Sequence, residues 1–225
     1  MRWEYNFSLG RIGGLERKIV PKSVLEELIF SDFKKASSVL KDYFFIYREA
    51  FDFDSLFGWL NEEEKFVGNI CSSLVEEKMR DFFKIFDGRS IKKDYLEDFF
   101  LYLHLLLEKQ NSLRIKSFGL PKEERFLLKD KVGELPFKKD VEDFYSEAEK
   151  IFKEKKIFLL DFLVEKYILK FWKRMRILQP LSSNSVIFFF FAKRLNLKVV
   201  KFLLFYLFLK LNPEKIKEVI KLVYG

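Results

Sequence analysis

Residues 186–209 read VIFFFFAKRLNLKVVKFLLFYLFL, a long apolar stretch near the end of the 225-residue chain. Basic side chains interrupt this stretch, and each of them would be costly in the hydrocarbon of a membrane. The longest uninterrupted run, Phe202 to Leu209, has 8 residues, whereas a membrane-spanning helix needs about 20. The pattern therefore predicts a helix buried in a protein core and not a membrane span.

The rest of the chain has the composition and periodicity of an all-α protein. Hydrophobic residues make up 49% and charged residues 34% of the chain, a combination that long helices separate onto opposite faces. Only 9 Gly and 5 Pro are present, too few for the many turns of a sandwich or barrel. Apolar residues recur at helical spacing in almost every segment, for example at Leu25, Leu28 and Ile29.

Polar residues mark where several helices are expected to begin. Ser23, with a glutamate three positions later, has the spacing of a capping box, and Ser31 with Asp32 predicts the start of another helix. Asn61 precedes the acidic run 62–64 and predicts another helix start, since acids in a first turn complement the helix dipole. Asn212, directly before a proline, predicts the start of the last helix.

Residues 113–139 differ from their surroundings, because they contain two glycines and two prolines with mixed charges between them. We interpret this segment as a linker or long loop between an N-terminal helical module, 1–112, and a C-terminal helical module, 140–225. One continuous domain is the alternative. Apolar periodicity predicts helices at about 92–109, 140–155, 157–177 and from 184 onward, the last with a bend near Asn196.

The formal net charge of +8 is unevenly distributed. Residues 1–112 contain 17 Lys and Arg against 20 Asp and Glu, whereas residues 113–225 contain 25 against 14. Such an asymmetry suggests an acidic partner, an anionic membrane surface or nucleic acid near the C-terminal half. A Lys-rich surface that is merely solvated is the alternative.

Two short stretches near the C-terminus are the most specific part of the sequence. Residues 192–204 read AKRLNLKVVKFLL, and residues 211–216 read LNPEKI. This ending resembles the C-type subunits of the A/V-type (archaeal and bacterial vacuolar-type) ATP synthases, a family related to the d-type subunits of eukaryotic V-ATPases. The positions that fit the family pattern without a gap are Ala192, Lys193, Leu197, Val200, Leu203, Leu204, Leu211, Pro213, Glu214 and Ile216.

The beginning of the chain is also similar to that family, while other positions depart from it. The similar residues are Tyr5, Arg11-Ile12, Leu15-Glu16, Leu25–Leu28 and Leu40–Tyr43. An acidic pair of the family's C-terminal helix is replaced here by Arg194 and Asn196. Family members have three similar helical modules arranged as a funnel, whereas this chain has room for about two. The resemblance therefore implies a shortened member.

The resemblance implies a non-catalytic rotor subunit. In that family, the C-type subunits form a socket that couples the central-stalk shaft, made of D-type and F-type subunits, to the membrane c/K ring during ion transport. The chain would then be peripheral to the membrane, on its cytoplasmic face, and would bind no cofactor.

Basic residues of the C-terminal helix are candidates for a partner-binding face. Arg194, Lys198 and Lys201 are separated by four and three positions, so they line one side of a helix. Solvated charges on an outer face are the alternative. The full candidate set is Lys193, Arg194, Lys198 and Lys201, with Arg11 and Arg17 added from the N-terminal resemblance.

Residue types that carry catalysis are scarce. The single histidine, His104, lies in an apolar segment without a second His or a Cys to share a metal ion. Cys71 is the only cysteine, so it forms no internal disulfide, and no histidine lies near it at helical spacing. We therefore expect no catalytic residue, no metal site and no enzymatic activity.

Two other functions fit the same sequence. A basic helical protein with a pI of about 9.3 could bind nucleic acid, although no helix-turn-helix or zinc motif is evident. We therefore expect no nucleic acid among the partners. A generic helical scaffold is the third possibility. Salt dependence of DNA binding distinguishes the nucleic-acid hypothesis from the others.

Overall fold

The computed structural model describes residues 12–46, 53–75, 97–118, 137–178 and 183–225. Across these ranges the chain forms helices joined by turns and no strand, which confirms the predicted all-α class. The helices are α1 Lys22–Leu28, α2 Phe33–Leu40, α3 Phe53–Ser73, α4 Glu97–Ser117, α5 Lys138–Lys153, α6 Leu160–Leu178, α7 Asn184–Phe208 and α8 Glu214–Tyr224.

Contacts divide the chain into two compact units, residues 1–91 with 169–225, and residues 92–168. In the first unit α7 packs against α2, α3 and α8, and α8 also packs against α1. In the second unit α4 packs against α5. These units differ from the sequential modules 1–112 and 140–225, because the packing of α7 and α8 brings the end of the chain onto its beginning. The start of the predicted linker is helical, as part of α4, and residues 119–136 lie outside the described residues.

The long helix α7 is the centre of the first unit. Of its 25 residues 15 are buried, which confirms that the apolar stretch 186–209 forms a core helix. The helix is continuous through Asn196, near which a bend is predicted. Its Phe191 ring stacks on Trp172 of α6, with centroids 6.2 Å apart. Within the described ranges, no helix is long and apolar enough to cross a membrane.

Two of the predicted helix starts are wrong. Helix α3 begins at Phe53 and runs straight through Asn61, because the buried residues Leu60, Val67 and Cys71 continue one apolar face across that position. The capping box at Ser23 is also absent. Helix α1 begins one residue earlier, where Pro21 in an extended conformation leads into the first turn and no side chain caps it.

The predicted start at Asp32 is confirmed, and the predicted start at Asn212 is one residue too early. The side chain of Asp32 accepts a hydrogen bond from the Lys35 N–H and caps α2. The N-cap position of α8 is Pro213, and Asn212, one residue before it, accepts a hydrogen bond from the Glu214 N–H at 2.9 Å.

Aromatic residues form the core of the second unit. Phe144 of α5 packs edge-to-face on the Tyr167 ring at 5.3 Å. Tyr102 of α4 is fully buried and its hydroxyl donates to the Tyr167 backbone carbonyl at 3.1 Å. The buried Tyr102 hydroxyl therefore has a hydrogen-bond partner, as buried donors require.

Candidate functional site

Lys193 is the least expected residue of the core. It lies in the middle of α7 with no exposed side-chain surface. Its Nζ donates to the backbone carbonyls of Lys18 at 2.6 Å and Tyr43 at 2.7 Å, and it lies 3.6 Å from Glu63 Oε1. A buried ammonium is tolerated only with such partners. Three acceptors from three segments of the chain therefore surround one cation.

Glu63 of α3 is the matching anion and is equally enclosed, with no exposed side-chain surface. Its carboxylate accepts from the Phe45 N–H at 3.0 Å and from the Ile46 N–H at 2.9 Å. Backbone donors therefore reach both carboxylate oxygens, including Oε1, which faces Lys193. The pair meets the condition for a buried ion pair, which needs hydrogen bonds beyond the two charges themselves.

Aromatic rings cover the ammonium group. Lys193 Nζ lies 4.7 Å from the centroid of the Phe44 ring and 5.7 Å from that of Phe45. Phe44 is held edge-to-face against Trp59 at 4.7 Å, and the Trp59 indole N–H donates to the Ile46 carbonyl. The rings exclude water while their faces attract the cation.

Burial changes the protonation of this lysine. Desolvation lowers the pKa of Lys193 to about 8, although the Glu63 carboxylate acts in the opposite direction. Lys18, another cation, adds to the lowering. Near neutral pH Lys193 is therefore mostly protonated, and it loses its charge at mildly alkaline pH.

Asn196 lies three positions after Lys193 and therefore on the same side of α7. Its Oδ1 accepts from the Val20 N–H at 3.0 Å and its Nδ2 donates to the Val20 carbonyl at 2.9 Å. Its Nδ2 also lies 2.9 Å from the Tyr224 hydroxyl. Burial raises the pKa of Tyr224 to about 12, so this phenol stays protonated at neutral pH.

Together these residues form a polar clamp, defined here as Lys193, Glu63 and Asn196. The clamp connects α7 to α3, to the segment between α2 and α3, to the residues before α1, and to the end of α8. Its polar atoms are directed at the chain itself. The arrangement supplies rigidity and register to the first unit.

The prediction that Lys193 contributes to a partner-binding face is corrected by this geometry. Its side chain is fully enclosed, so it offers no surface to a partner. The acidic run 62–64 is likewise no helix cap. It lies inside α3, and Glu63 serves the clamp.

Arg194 and Lys201, two other candidates, form ion pairs within the chain and remain partly exposed. Glu64 of α3 lies 3.8 Å from Arg194 Nε and 3.0 Å from Lys201 Nζ. Lys201 also donates to Asn61 Oδ1 at 3.0 Å. The structure thus brings Arg194 and Lys201 together, as their spacing predicts, around one carboxylate. Neither is a freely solvated charge.

Three candidates remain: Lys198, Arg17 and Arg11. Lys198 of α7 is half-buried, and Arg17, just after a helical turn at 12–16, is exposed. Arg11 lies outside the described residues. The contribution of these residues to a partner face remains a prediction.

His104 and Cys71 are the two residues considered for catalysis. His104 is exposed on α4. Cys71 is a free, buried thiol, and desolvation raises its pKa well above the usual range, which disfavours the nucleophilic thiolate. Within the ranges that the structure describes, no cluster of His, Cys, Asp and Glu could hold a metal ion.

Comparisons with protein-family models, curated proteins and solved structures find no match for this chain. Its function therefore has to be inferred from its own residues and from the resemblance of its two ends.

Sequence reasoning identified Lys193 as a notable residue but missed its partner. Glu63 is 130 positions away in the chain and lies in a run of glutamates, which made a helix start the simpler interpretation. One signal was present: Glu63 falls on the apolar face that Leu60 and Val67 define at helical spacing. A carboxylate on such a face requires a buried partner.

Proposed function

We propose that this chain is a non-catalytic helical connector of the C-type family, which joins a rotating shaft to a membrane ring in an A/V-type ATPase. Its partners would be D-type and F-type shaft subunits and the c/K ring. Ion transport would be the function of the whole assembly, and the connector would transmit torque without chemistry of its own. Its place would be peripheral, on the cytoplasmic face of the membrane.

The observation that carries the proposal is the position of the C-terminal stretch that resembles the family. Most of its matching positions are apolar, and six of the ten matching positions are buried in the first unit. The buried ones are Lys193, Leu197, Val200, Leu203, Leu204 and Ile216. A resemblance that falls on core positions supports a shared scaffold more than a shared contact surface, because core residues are selected for packing.

The polar clamp adds a mechanical argument. A torque-transmitting subunit must resist shear between its helices, and dense packing with satisfied buried polar groups provides that resistance. Lys193 and Asn196 join α7 to backbone groups more than 145 positions earlier in the chain, at Lys18, Val20 and Tyr43. One helix thus holds residues 18–43 and the C-terminal part of the chain together.

Purification of the complex from the source cells tests the proposal. The tagged full-length chain should co-elute with the shaft subunits and the membrane ring. Charge reversal at the exposed Arg17 and half-buried Lys198, R17E/K198E, should weaken this association. Reversal at Lys34, which is exposed on α2 and outside the candidate set, is the matched control. Circular dichroism must show that both variants remain folded.

Elution of a folded, monodisperse wild-type chain without either partner would overturn the connector proposal. The structure gives no specific support to nucleic-acid binding, because the basic residues Arg194 and Lys201 are already paired with Glu64. Tight DNA or RNA binding that falls steeply with salt would nevertheless favour nucleic-acid binding as the function.

A further inference from the structure

An open groove lies between α1 and α8, away from the polar clamp. Its volume is about 370 Å³. Its apolar lining comes from Ile29, Phe30 and Ile220. Ile220 is almost fully buried beneath the groove, whereas the Phe30 ring is 75% exposed. A large aromatic ring that remains so exposed beside an apolar floor is a typical feature of an interaction site.

Lysines stand on both sides of this apolar floor. Lys22 lies on α1, and Lys217 and Lys221 lie one helical turn apart on α8. Glu26 is the single acidic residue of the lining, so the groove carries a net positive charge. Cations on opposite walls favour an occupant that presents carboxylates on both sides of an apolar centre.

The ion pairs that Lys22 and Lys217 already form are exposed, so a partner's carboxylates can compete for these lysines. Lys22 is 3.8 Å from Glu26 on an exposed helix face, a geometry of little energetic value. Lys221 forms no ion pair with any residue in the described ranges. Lys217 is bound to Glu214 at 2.6 Å and lies 5.2 Å from the centroid of the Phe30 ring. The lysine on the ring thus places a positive charge directly above the exposed apolar surface.

We infer that this groove is a docking site for an acidic amphipathic helix of a partner protein. Two apolar side chains one turn apart would fill the space over Ile220 and beside Phe30. Flanking glutamates or aspartates would pair with Lys22 on one wall and with Lys217 and Lys221 on the other. This is the helix-in-groove mode of recognition, with apolar anchors at i and i+4.

The shape of the groove favours a peptide over other anionic partners. A flat bilayer surface would meet Phe30 and the lysines but would not reach Ile220, which is only 2% exposed. A helix that lies along the groove can cover the apolar floor and place its carboxylates beside the lysines on both walls.

Fluorescence anisotropy with a defined probe tests this site independently of any rotary ATPase. The probe is a labelled helical peptide of about 14 residues, with two Leu one turn apart and Glu on either side. We expect it to bind the full-length chain, and to bind about tenfold more weakly to the charge-reversed variant K217E/K221E. K34E/K35E, which reverses two exposed charges on α2, should bind like the wild type.

Further arms separate the alternatives. Phe30→Ala should also weaken binding severalfold without affecting the fold, because that ring is mostly exposed. The same peptide with Lys in place of Glu should not bind. Equal binding of the acidic and basic peptides, or no effect of K217E/K221E, would overturn the inference. So would binding to phosphatidylserine vesicles with none to the acidic peptide, which would indicate a membrane surface as the occupant.

Discussion

Each unit of this protein has a Lys–Glu pair between two packed helices, yet the two pairs lie in opposite environments. In the first unit Lys193 of α7 faces Glu63 of α3 with no exposed surface on either side chain. In the second unit Lys109 of α4 binds Glu149 of α5, with 18% and 37% of the side chains exposed. The charged groups are the same, so the two pairs show how a Lys–Glu pair depends on its surroundings.

Burial changes what the pair does for the fold. The surface pair adds a charge-assisted hydrogen bond, and its main visible effect is that the Lys109 hydrogen bond lowers the pKa of Glu149. Water already stabilises both partners, so little free energy depends on the pair. The buried pair has no access to water, so each partner depends on the other and on fixed backbone groups. The first unit is therefore sensitive to single substitutions at this point.

The largest effect is expected from breaking the buried pair. Lys193→Met leaves the Glu63 carboxylate buried without its cation, and Glu63→Gln leaves the ammonium without its anion. Each substitution should lower the free energy of unfolding by about 3–5 kcal/mol. Urea unfolding followed by circular dichroism measures this. A loss below about 1 kcal/mol would mean that the pair behaves like a surface one.

Asn196→Leu should have the next largest effect. The leucine would leave both the N–H and the carbonyl of Val20 without their side-chain partner, in a buried position. The expected loss is about 2 kcal/mol. Asn212→Ala is a useful comparison, since losing its exposed hydrogen bond to the Glu214 N–H should cost about 1 kcal/mol. Equal losses for the two variants in the same urea titration would contradict a special role of the buried amide.

Alkaline pH should strengthen the first unit through Lys193. The pKa of Lys193 is about 8 in the folded chain and 10.5 as its ordinary value. Between these values the unfolded chain binds more protons than the folded one, so the free energy of unfolding rises with pH. From pH 8 to about 9.5 the lysine contributes about 2 kcal/mol. Unfolding of wild type and K193M at several pH values isolates this contribution, which should be absent in the variant.

The smallest effect is expected at the surface pair of the second unit. Lys109→Met or Glu149→Gln should lower the free energy of unfolding by less than about 1 kcal/mol, and added salt should reduce the loss further. The same substitutions at the buried pair serve as the matched comparison. A loss of several kcal/mol at Lys109 would show that burial is not what separates the two pairs.

The sequence predicts the helices well where apolar periodicity is long and uninterrupted. The helix from Asn184 onward is an example, because so many apolar side chains are stable only when they are buried in a core. The predicted helix start at Asn61 is wrong because the apolar periodicity continues past it. An asparagine followed by glutamates is a strong local signal, but the apolar face that Leu60 and Val67 share continues through it, and packing outweighs the local preference.

The clamp is less accessible to sequence reasoning, because its partners are distant along the chain. Lys193 looks like a charge that interrupts an apolar helix, and nothing local indicates that its ammonium binds the carbonyls of Lys18 and Tyr43. The same holds for the groove. Lys22 and Lys217 face a common space only because α8 packs on α1, which is a property of the tertiary fold.

A double-mutant cycle at Lys193 and Glu63 tests the central claim most directly. The free energies of unfolding of the wild type, K193M, E63Q and K193M/E63Q would be measured in urea at neutral pH. If the buried pair organises the first unit, the double variant should be more stable than the sum of the single losses implies, with a coupling of at least about 2 kcal/mol. Additivity within about 0.5 kcal/mol would contradict the claim, and would mean that the two charges are buried independently.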